Sequence, residues 1–146
     1  MSTKLEFYTD GACMPNPGRG GWAVVAVENG LEKQYKAGGE KHTTNNRMEL
    51  MAIYVAMSWF DSSFHDFKLN NAEYRIRIYT DSMLSVNVIN GKWRAKKNID
   101  LIEVIRKEMV RKKHEIIWVR GHNGNYFNER ADEIANRAAL TKINFM

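Results

Sequence analysis

The first forty residues show an alternation of apolar and polar positions that predicts β-strands. Such runs extend over residues 4–10, 21–28 and 31–38, and turn-forming residues separate them. Asn29 and Gly30 favour a tight hairpin between the second and third runs. The pattern therefore predicts an antiparallel meander of three strands at the start of the chain.

A helical periodicity replaces this alternation from residues 44–46 onward. Apolar residues then recur at three- and four-residue spacing as far as Trp59, which predicts a helix buried against a sheet. Residues 61–71 are polar and are expected to be irregular. The later chain alternates the two patterns, with strands predicted over 74–80 and 115–119 and helices over 82–90, over 100–112 and from 128 onward.

Helical connections of this length suit parallel addition of the later strands beside the first one. We therefore expect an α/β architecture in one domain over residues 1–146. In such sheets, ligands bind where the carboxyl ends of strands meet at a change of strand order.

Composition narrows the class of protein without fixing its function. An apolar content of 44% with two prolines is typical of a globular chain. The single cysteine, Cys13, excludes an internal disulfide, and no leader-like or bilayer-length apolar run is present, so a cytoplasmic protein without a membrane role is expected. A net charge of +5 attracts polyanions, yet many basic proteins bind no nucleic acid.

Four acids carry the candidate chemistry. Asp10 and Asp81 each end a predicted strand, so their side chains emerge at one edge of the sheet if those strands are parallel neighbours. Glu49, on the first turn of the long helix, and Asp132, on the last helix, are placed to join them. Four adjacent carboxylates repel one another unless cations bind between them, and Mg²⁺ prefers such oxygen ligands. Two ions about 3.5–4 Å apart would support phosphodiester hydrolysis.

Three of these acids also have purely structural interpretations. Glu49 can complete a capping box with Asn46, Asp81 can cap the helix that follows it, and Asp132 can compensate a helix dipole. Asp10 has no capping role, because an apolar strand precedes it and a Gly-Ala pair follows it.

Four histidines complete the titratable candidates. His122 lies in a glycine-flanked loop before the last helix, where an imidazole can shuttle a proton, although a loop histidine is usually only a surface residue. The histidines at 42, 65 and 114 are interpreted as structural or solvent-facing.

Five sequence blocks together resemble the ribonuclease H type 1 family in order and context. They are TDGA at 9–12, TNNRMEL at 44–50, YTDS at 79–82, GHNG at 121–124 and NERAD at 128–132. The resemblance implies a five-stranded mixed sheet in the order 3-2-1-4-5 with helices on both faces. It also implies cleavage of the RNA strand of RNA/DNA hybrids, leaving 5′-phosphate and 3′-hydroxyl ends.

The same resemblance implies roles for site residues. Asp10, Glu49, Asp81 and Asp132 would bind two Mg²⁺ ions, with Mn²⁺ as an alternative and Asp10 bridging both. His122 would be the catalytic loop histidine. The substrate, and the expected partner of a monomeric protein, would be an RNA/DNA hybrid, recognised through 2′-hydroxyls across its wide minor groove.

Substrate-binding candidates also follow from the resemblance. Cys13, Asn16 and Asn45 are expected to contact the hybrid, and Thr43 to contact a DNA phosphate. Met83 stands where many members carry a glutamine that touches the substrate.

One departure from the family concerns its basic handle. Many relatives insert a helix and a basic loop after the Asp81 strand, whereas here only residues 91–97 remain. Trp93, Lys96 and Lys97 in this short loop suit backbone and stacking contacts, although a solvated charged turn is an equal alternative. Weaker and more salt-sensitive hybrid binding is expected.

Two other functions compete with hybrid cleavage. One is a nucleic-acid-binding module without turnover, and the presence of all four acids argues against it. The other is a related nuclease, such as a DNA-joint resolvase or a transposase-like strand transferase, which does not usually carry the 44–50 block together with the glycine-flanked histidine. Residues 58–71 and the tail 143–146 receive no functional assignment.

Overall fold

The computed structural model describes residues 4–64, 76–121 and 124–141. Within them the strands are β1 Leu5–Cys13, β2 Gly18–Glu28, β3 Leu31–Thr43, β4 Arg77–Thr80 and β5 Glu115–Trp118. The helices are α1 Asn45–Ser63, α2 Met83–Ile89, α3 Ile99–Lys112 and α4 Tyr126–Leu140.

The five strands form one mixed sheet in the order β3-β2-β1-β4-β5. β1, β2 and β3 pair antiparallel, whereas β4 pairs parallel to both β1 and β5. Asn29 and Gly30 have φ values of 51° and 84°, which a tight hairpin needs at both central positions. The predicted meander, the parallel additions and the expected strand order are confirmed.

The predicted ends of two strands were wrong, because both strands continue further than expected. β1 does not end at Asp10 but continues to Cys13, and β3 continues past Gly38 to Thr43. Asp10 pairs with Ala23 inside the ladder, and small residues on both strands keep the pairing intact beyond it. The sequence pattern ended these strands too early because glycines and polar residues, which usually mark turns, here lie within paired strands.

The helix α1 also extends further than expected. It reaches Ser63, so the first residues of the predicted irregular stretch 61–71 are helical. β4 begins at Arg77, later than the expected residue 74, and most of the intervening segment lies outside the described residues. Helix α4 begins at Tyr126, two residues before the predicted start.

Helices cover both faces of the sheet, as expected. On one face α1, α2 and α3 enclose a core that includes Phe7, Ile53, Ile78 and Ile105. On the other face α4 packs its small residues, such as Ala135, on β1 and β2. Each large apolar side chain buried in these layers contributes roughly 1.5–3 kcal/mol, which holds the helices against the sheet.

Two glycines let the helices approach the sheet closely. A Cβ added at Gly11 would lie 2.3 Å from the backbone nitrogen of Glu49 in α1. A Cβ added at Gly21 would lie 2.4 Å from the backbone nitrogen of Ala139 in α4. Both contacts are with helix backbone, so any side chain here would push α1 or α4 away from the sheet.

The described helices include none that is long and apolar enough to cross a bilayer.

Candidate active site

Asp10 lies on β1, the central strand of the sheet. Its side chain is buried, and Oδ1 accepts a hydrogen bond from the backbone N–H of Gly11 at 2.9 Å. Oδ2 is also buried and has no hydrogen-bond partner among the described residues. A buried carboxylate oxygen without a partner is costly unless a ligand binds it.

Glu49 reaches the same glycine from α1. Its Oε1 accepts a hydrogen bond from the N–H of Gly11, so one backbone amide serves both acids. The capping-box interpretation of Glu49 is wrong, because Thr44 is the N-cap and its hydroxyl accepts from Arg47 N at 3.2 Å. The predicted position of Glu49 on the first turn is also wrong, because Glu49 is the fifth residue of α1 and lies beyond that turn.

Asp81 lies in the short connection between β4 and α2. Ser82, not Asp81, caps α2, because the Ser82 hydroxyl accepts from Ser85 N at 3.1 Å. The capping interpretation of Asp81 is thus also wrong, and its carboxylate is available to the site. Since β1 and β4 are parallel neighbours, Asp81 emerges beside Asp10.

Oxygens of Asp10, Glu49 and Asp81 lie within 4.8 Å of one another. Asp132 is not part of this three-residue cluster. All four acids nevertheless line one pocket of about 270 Å³, called here the acid pocket. Asp132 is the seventh residue of α4, which Asn125 caps, so it is too far along the helix for a dipole-compensating role in the first turn. His122 lies outside the described residues.

The electrostatics of this acid pocket favour a bound cation. Burial, followed by hydrogen bonding and repulsion from Glu49, raises the pKa of Asp10 well above its ordinary range. Burial also raises the pKa of Glu49, although hydrogen bonds from Asp10 and from the Gly11 amide oppose the increase. A hard divalent cation would offset this mutual repulsion, and its preferred ligands are carboxylate oxygens such as these. The unpartnered Oδ2 of Asp10 also fits such an ion.

Comparisons of the sequence with protein families and with individual proteins point to the same family. The sequence pattern of the RNase H family matches residues 2–140. A protein of Pseudomonas putida named Ribonuclease H is 41% identical over 140 residues, which is 94% of each chain. One of Pseudomonas aeruginosa named Ribonuclease HI is 42% identical over 137 residues, which is 92% of each chain.

The chain belongs to the ribonuclease H family. As a member it is an enzyme, a ribonuclease of the hydrolase class. The fold agrees: a crystal structure of LC11-RNase H1 in complex with an RNA/DNA hybrid superposes with a TM-score of 0.71. That chain is 24% identical, and the match covers 93% of this chain and 96% of the other.

The residues expected to bind substrate separate into two cavities and two isolated positions. Cys13 and Asn45 line the acid pocket. Asn16, Trp93, Lys96 and Lys97 line a second, larger cavity of about 560 Å³, called here the loop groove.

The two isolated candidates are Thr43 and Met83. Thr43 is buried, and its hydroxyl has no hydrogen-bond partner among the described residues. Met83 is exposed at the start of α2 and is not among the residues that line either cavity.

Sequence reasoning missed Asn136, which also lines the acid pocket. Its side-chain N–H donates to the backbone carbonyl of Asp132 at 2.9 Å, one helical turn earlier. The signal was present, because residues four apart share one face of a helix.

The apolar floor of the loop groove was likewise missed. It includes Leu84, Val88 and Ile102, which lie on the two predicted helices 82–90 and 100–112.

Proposed function

We propose that this chain hydrolyses the RNA strand of RNA/DNA hybrids by a two-metal mechanism, leaving 5′-phosphate and 3′-hydroxyl ends. The observation that carries the proposal is the convergence of Asp10, Glu49 and Asp81 from three separate elements to within 4.8 Å. The hybrid bound to LC11-RNase H1 supports the choice of substrate.

The carboxylates of Asp10, Glu49, Asp81 and Asp132, which all line the acid pocket, would hold the metal ions. Bound Mg²⁺ or Mn²⁺ would activate the attacking water and stabilise the leaving oxygen. The chain's own part is orientation, because the Gly11 amide fixes one oxygen of Asp10 and one of Glu49. We assign His122, in the sequence block 121–124, the role of moving a proton in this reaction.

The loop groove is proposed to bind the second strand of the hybrid. Thr44 and Asn46 line the groove, while Asn45 between them lines the acid pocket, so the two cavities adjoin at the start of α1. Lys96 and Lys97 would contact phosphates there, and Trp93 offers a face for stacking.

Contacts to the RNA strand are proposed on the acid-pocket side, for Cys13 and Asn45, which line that pocket. Recognition of 2′-hydroxyls there would distinguish RNA from DNA. Asn16, whose Oδ1 accepts a hydrogen bond from Asn45 N–H at 3.1 Å, would contact the hybrid where the two cavities adjoin. Thr43, whose carbonyl accepts from the Cys13 thiol, is proposed to contact a DNA phosphate, and Met83 is proposed as an exposed contact to the hybrid at the start of α2.

A substrate panel tests the proposal. Labelled RNA/DNA hybrid, duplex DNA and duplex RNA are incubated with Mg²⁺ or with EDTA, and the products are sized and their ends determined. We expect Mg²⁺-dependent cutting of the hybrid's RNA strand alone. Robust cutting of duplex DNA would instead indicate a resolvase-type nuclease, and metal-independent binding without cutting would indicate a binding module.

A matched pair of variants assigns any observed cutting to the pocket. Asp132→Asn removes an acid that lines it, whereas Glu133→Gln makes the same chemical change on the next residue, which pairs with Arg137 at 2.7 Å on the surface. We expect activity to fall only in Asp132→Asn. Equal activities would remove Asp132 from the proposed site.

Three further expectations complete the proposal. The chain forms one domain over residues 1–146, acts as a monomer and works in the cytoplasm. The single cysteine supports the last of these.

A further inference from the structure

Trp118 and Asp81 meet at the end of the parallel pair β4 and β5. The register of that pair ends with Thr80 opposite Trp118, and Val119 N–H donates to the Thr80 carbonyl at 2.8 Å. The carbonyl of Asp81 lies beyond this ladder. It accepts a hydrogen bond from the indole Nε1–H of Trp118 at 3.1 Å.

The same segment also contacts the carboxylate of Asp81. A Cβ added at Gly121 would lie 2.7 Å from Oδ2 of Asp81 and 3.4 Å from its Cγ. The bare Cα of Gly121 therefore borders the carboxylate, and no larger residue fits without displacing it. Residues 118–121 thus hold Asp81 at its backbone and limit its side chain.

Burial alone does not explain a tryptophan at position 118. The side chain is 38% exposed at the end of a short edge strand, so its ring is only partly buried. Its indole N–H, however, reaches across to the next strand and satisfies a carbonyl at the strand end. The polar tip of the ring thus makes a specific contact in addition to the partly buried apolar area.

Asp81 needs such support more than the other two acids of the cluster. Asp10 and Glu49 both accept the Gly11 amide, which fixes their oxygens directly. Asp81 follows a strand of only four residues, in the turn before α2. Its position therefore depends on what borders that turn.

We propose that Trp118 is a positioning residue for Asp81: its indole N–H fixes the Asp81 peptide and, with Gly121 alongside, sets the carboxylate toward Asp10 and Glu49. The inference rests on the metal-binding part of the proposed function. It predicts that Trp118 acts on metal affinity through Asp81, without itself touching metal or substrate.

Trp118→Phe tests this, because it keeps an aromatic ring and removes the donor. Mg²⁺ alone is titrated calorimetrically into the full chain without nucleic acid. A typical net hydrogen bond corresponds to roughly a 3–10-fold change in an equilibrium constant, so the Kd for Mg²⁺ should rise by about that factor. The control is Ile117→Val, on the same strand and not among the residues that line the acid pocket, which should bind Mg²⁺ as the parent does.

Kinetics and NMR separate positioning from a general loss of structure. In Trp118→Phe the Mg²⁺ concentration for half-maximal hybrid cleavage should rise by the same factor, while KM for the hybrid stays constant. In the parent, the Trp118 indole proton should be protected from exchange and should shift when Mg²⁺ binds.

Gly121→Ala provides an independent test, since its Cβ must displace the Asp81 carboxylate. We expect a larger loss of Mg²⁺ affinity than in Trp118→Phe. Parent-like Mg²⁺ affinity in both variants, or an unprotected indole proton, would overturn the inference. Reduced affinity in Trp118→Phe together with a parent protein that cuts no hybrid would support the inference and contradict the proposed function.

Discussion

The acid pocket and the loop groove adjoin at the start of α1 but are built differently. The acid pocket, about 270 Å³, takes its acids from β1, α1, α4 and the end of β4, and Asp10 and Glu49 in it are 3% and 4% exposed. The loop groove, about 560 Å³, takes six consecutive lining residues from 93–98, and Trp93 there is 47% exposed.

This difference has a physical consequence for each cavity. Acids in the pocket are fixed by packed backbone, so a small change in the type or position of one atom should lower the catalytic rate strongly. Cations of the groove lie on exposed side chains, where interactions are screened and individually weak. We therefore expect substitutions in the acid pocket to abolish activity, and substitutions in the loop groove to weaken hybrid binding gradually and in a salt-dependent way.

Neutralising Asp10 should have the largest effect on activity. A catalytic metal supplies several kcal/mol, and each 1.36 kcal/mol is about tenfold, so Asp10→Asn should lower kcat by ~10³-fold or more. The measurement is cleavage of labelled hybrid at saturating Mg²⁺. Glu133→Gln, the same kind of change at an exposed surface pair, should retain activity.

The same variant should become more stable without metal. Because the pKa of Asp10 is raised in the fold, its ionised form opposes folding above its unfolded pKa of about 4, increasingly as the pH rises. Asp10→Asn should thus raise the Tm at pH 7–8 in EDTA, and Mg²⁺ should raise the Tm of the parent more than that of the variant. A lower Tm for Asp10→Asn in EDTA would contradict the electrostatic part of the account.

A methyl group at Gly11 should damage the pocket through packing alone. In Gly11→Ala the new Cβ would lie 2.3 Å from Glu49 N, so α1 must shift, at a cost of about 3 kcal/mol or more. Urea unfolding measures the change. Gly30→Asn is the control, because Gly30 has open space around it, so its smaller loss should come from the φ of 84° alone. Similar losses in both variants would contradict the close-approach argument.

His114 should make the stability of the fold depend on pH, through a hydrogen bond next to β4. This buried residue accepts the Ile76 N–H on Nδ1 at 3.1 Å, directly before β4. Burial lowers the pKa of His114 to about 4. Its unfolded pKa is about 6.5, so stability is complete above that pH and falls by about 3 kcal/mol as the pH drops to 4.

His114→Asn separates this effect from other titrations. Asparagine keeps an acceptor at the position of Nδ1 but does not titrate. Urea unfolding between pH 7 and 4 should show a shallower loss of stability in the variant than in the parent. Parallel pH profiles for the two proteins would exclude His114 as the source.

The groove lysines should give the smallest effects. Lys96→Ala and Lys97→Ala should each raise KM for the hybrid at low salt, leave kcat unchanged and reduce the salt slope of binding by about 0.9. Lys33→Ala removes the same charge from an ion pair with Glu28 on the hairpin, and it should change neither KM nor the salt slope of binding. A fall in kcat for Lys96→Ala or Lys97→Ala would contradict the division between the two cavities.

Much of the fold was predictable because it depends on local patterns. Periodicity distinguishes strands from helices, and crossover length favours the parallel β1–β4 pairing that brings Asp10 and Asp81 to one region. Strand ends were less predictable. Gly11 looks like a turn residue in sequence, yet it continues β1 because it must lie beneath α1.

The tertiary details of the site were not accessible from sequence. The double use of the Gly11 amide depends on how closely α1 packs, and the contact of Trp118 with Asp81 joins residues 37 positions apart. Similarly, the capping interpretations of Glu49 and Asp81 could be rejected only once Thr44 and Ser82 were seen to cap α1 and α2.

Anomalous diffraction from crystals grown with Mn²⁺ and a hybrid that carries a 2′-deoxy substitution at the cleavage site would locate the metal ions themselves. We expect two Mn²⁺ peaks about 3.5–4 Å apart, both within coordination distance of Asp10 and flanked by Glu49, Asp81 and Asp132. Mn²⁺ bound only to phosphates, or the absence of a peak beside Asp10, would contradict the proposed two-metal site.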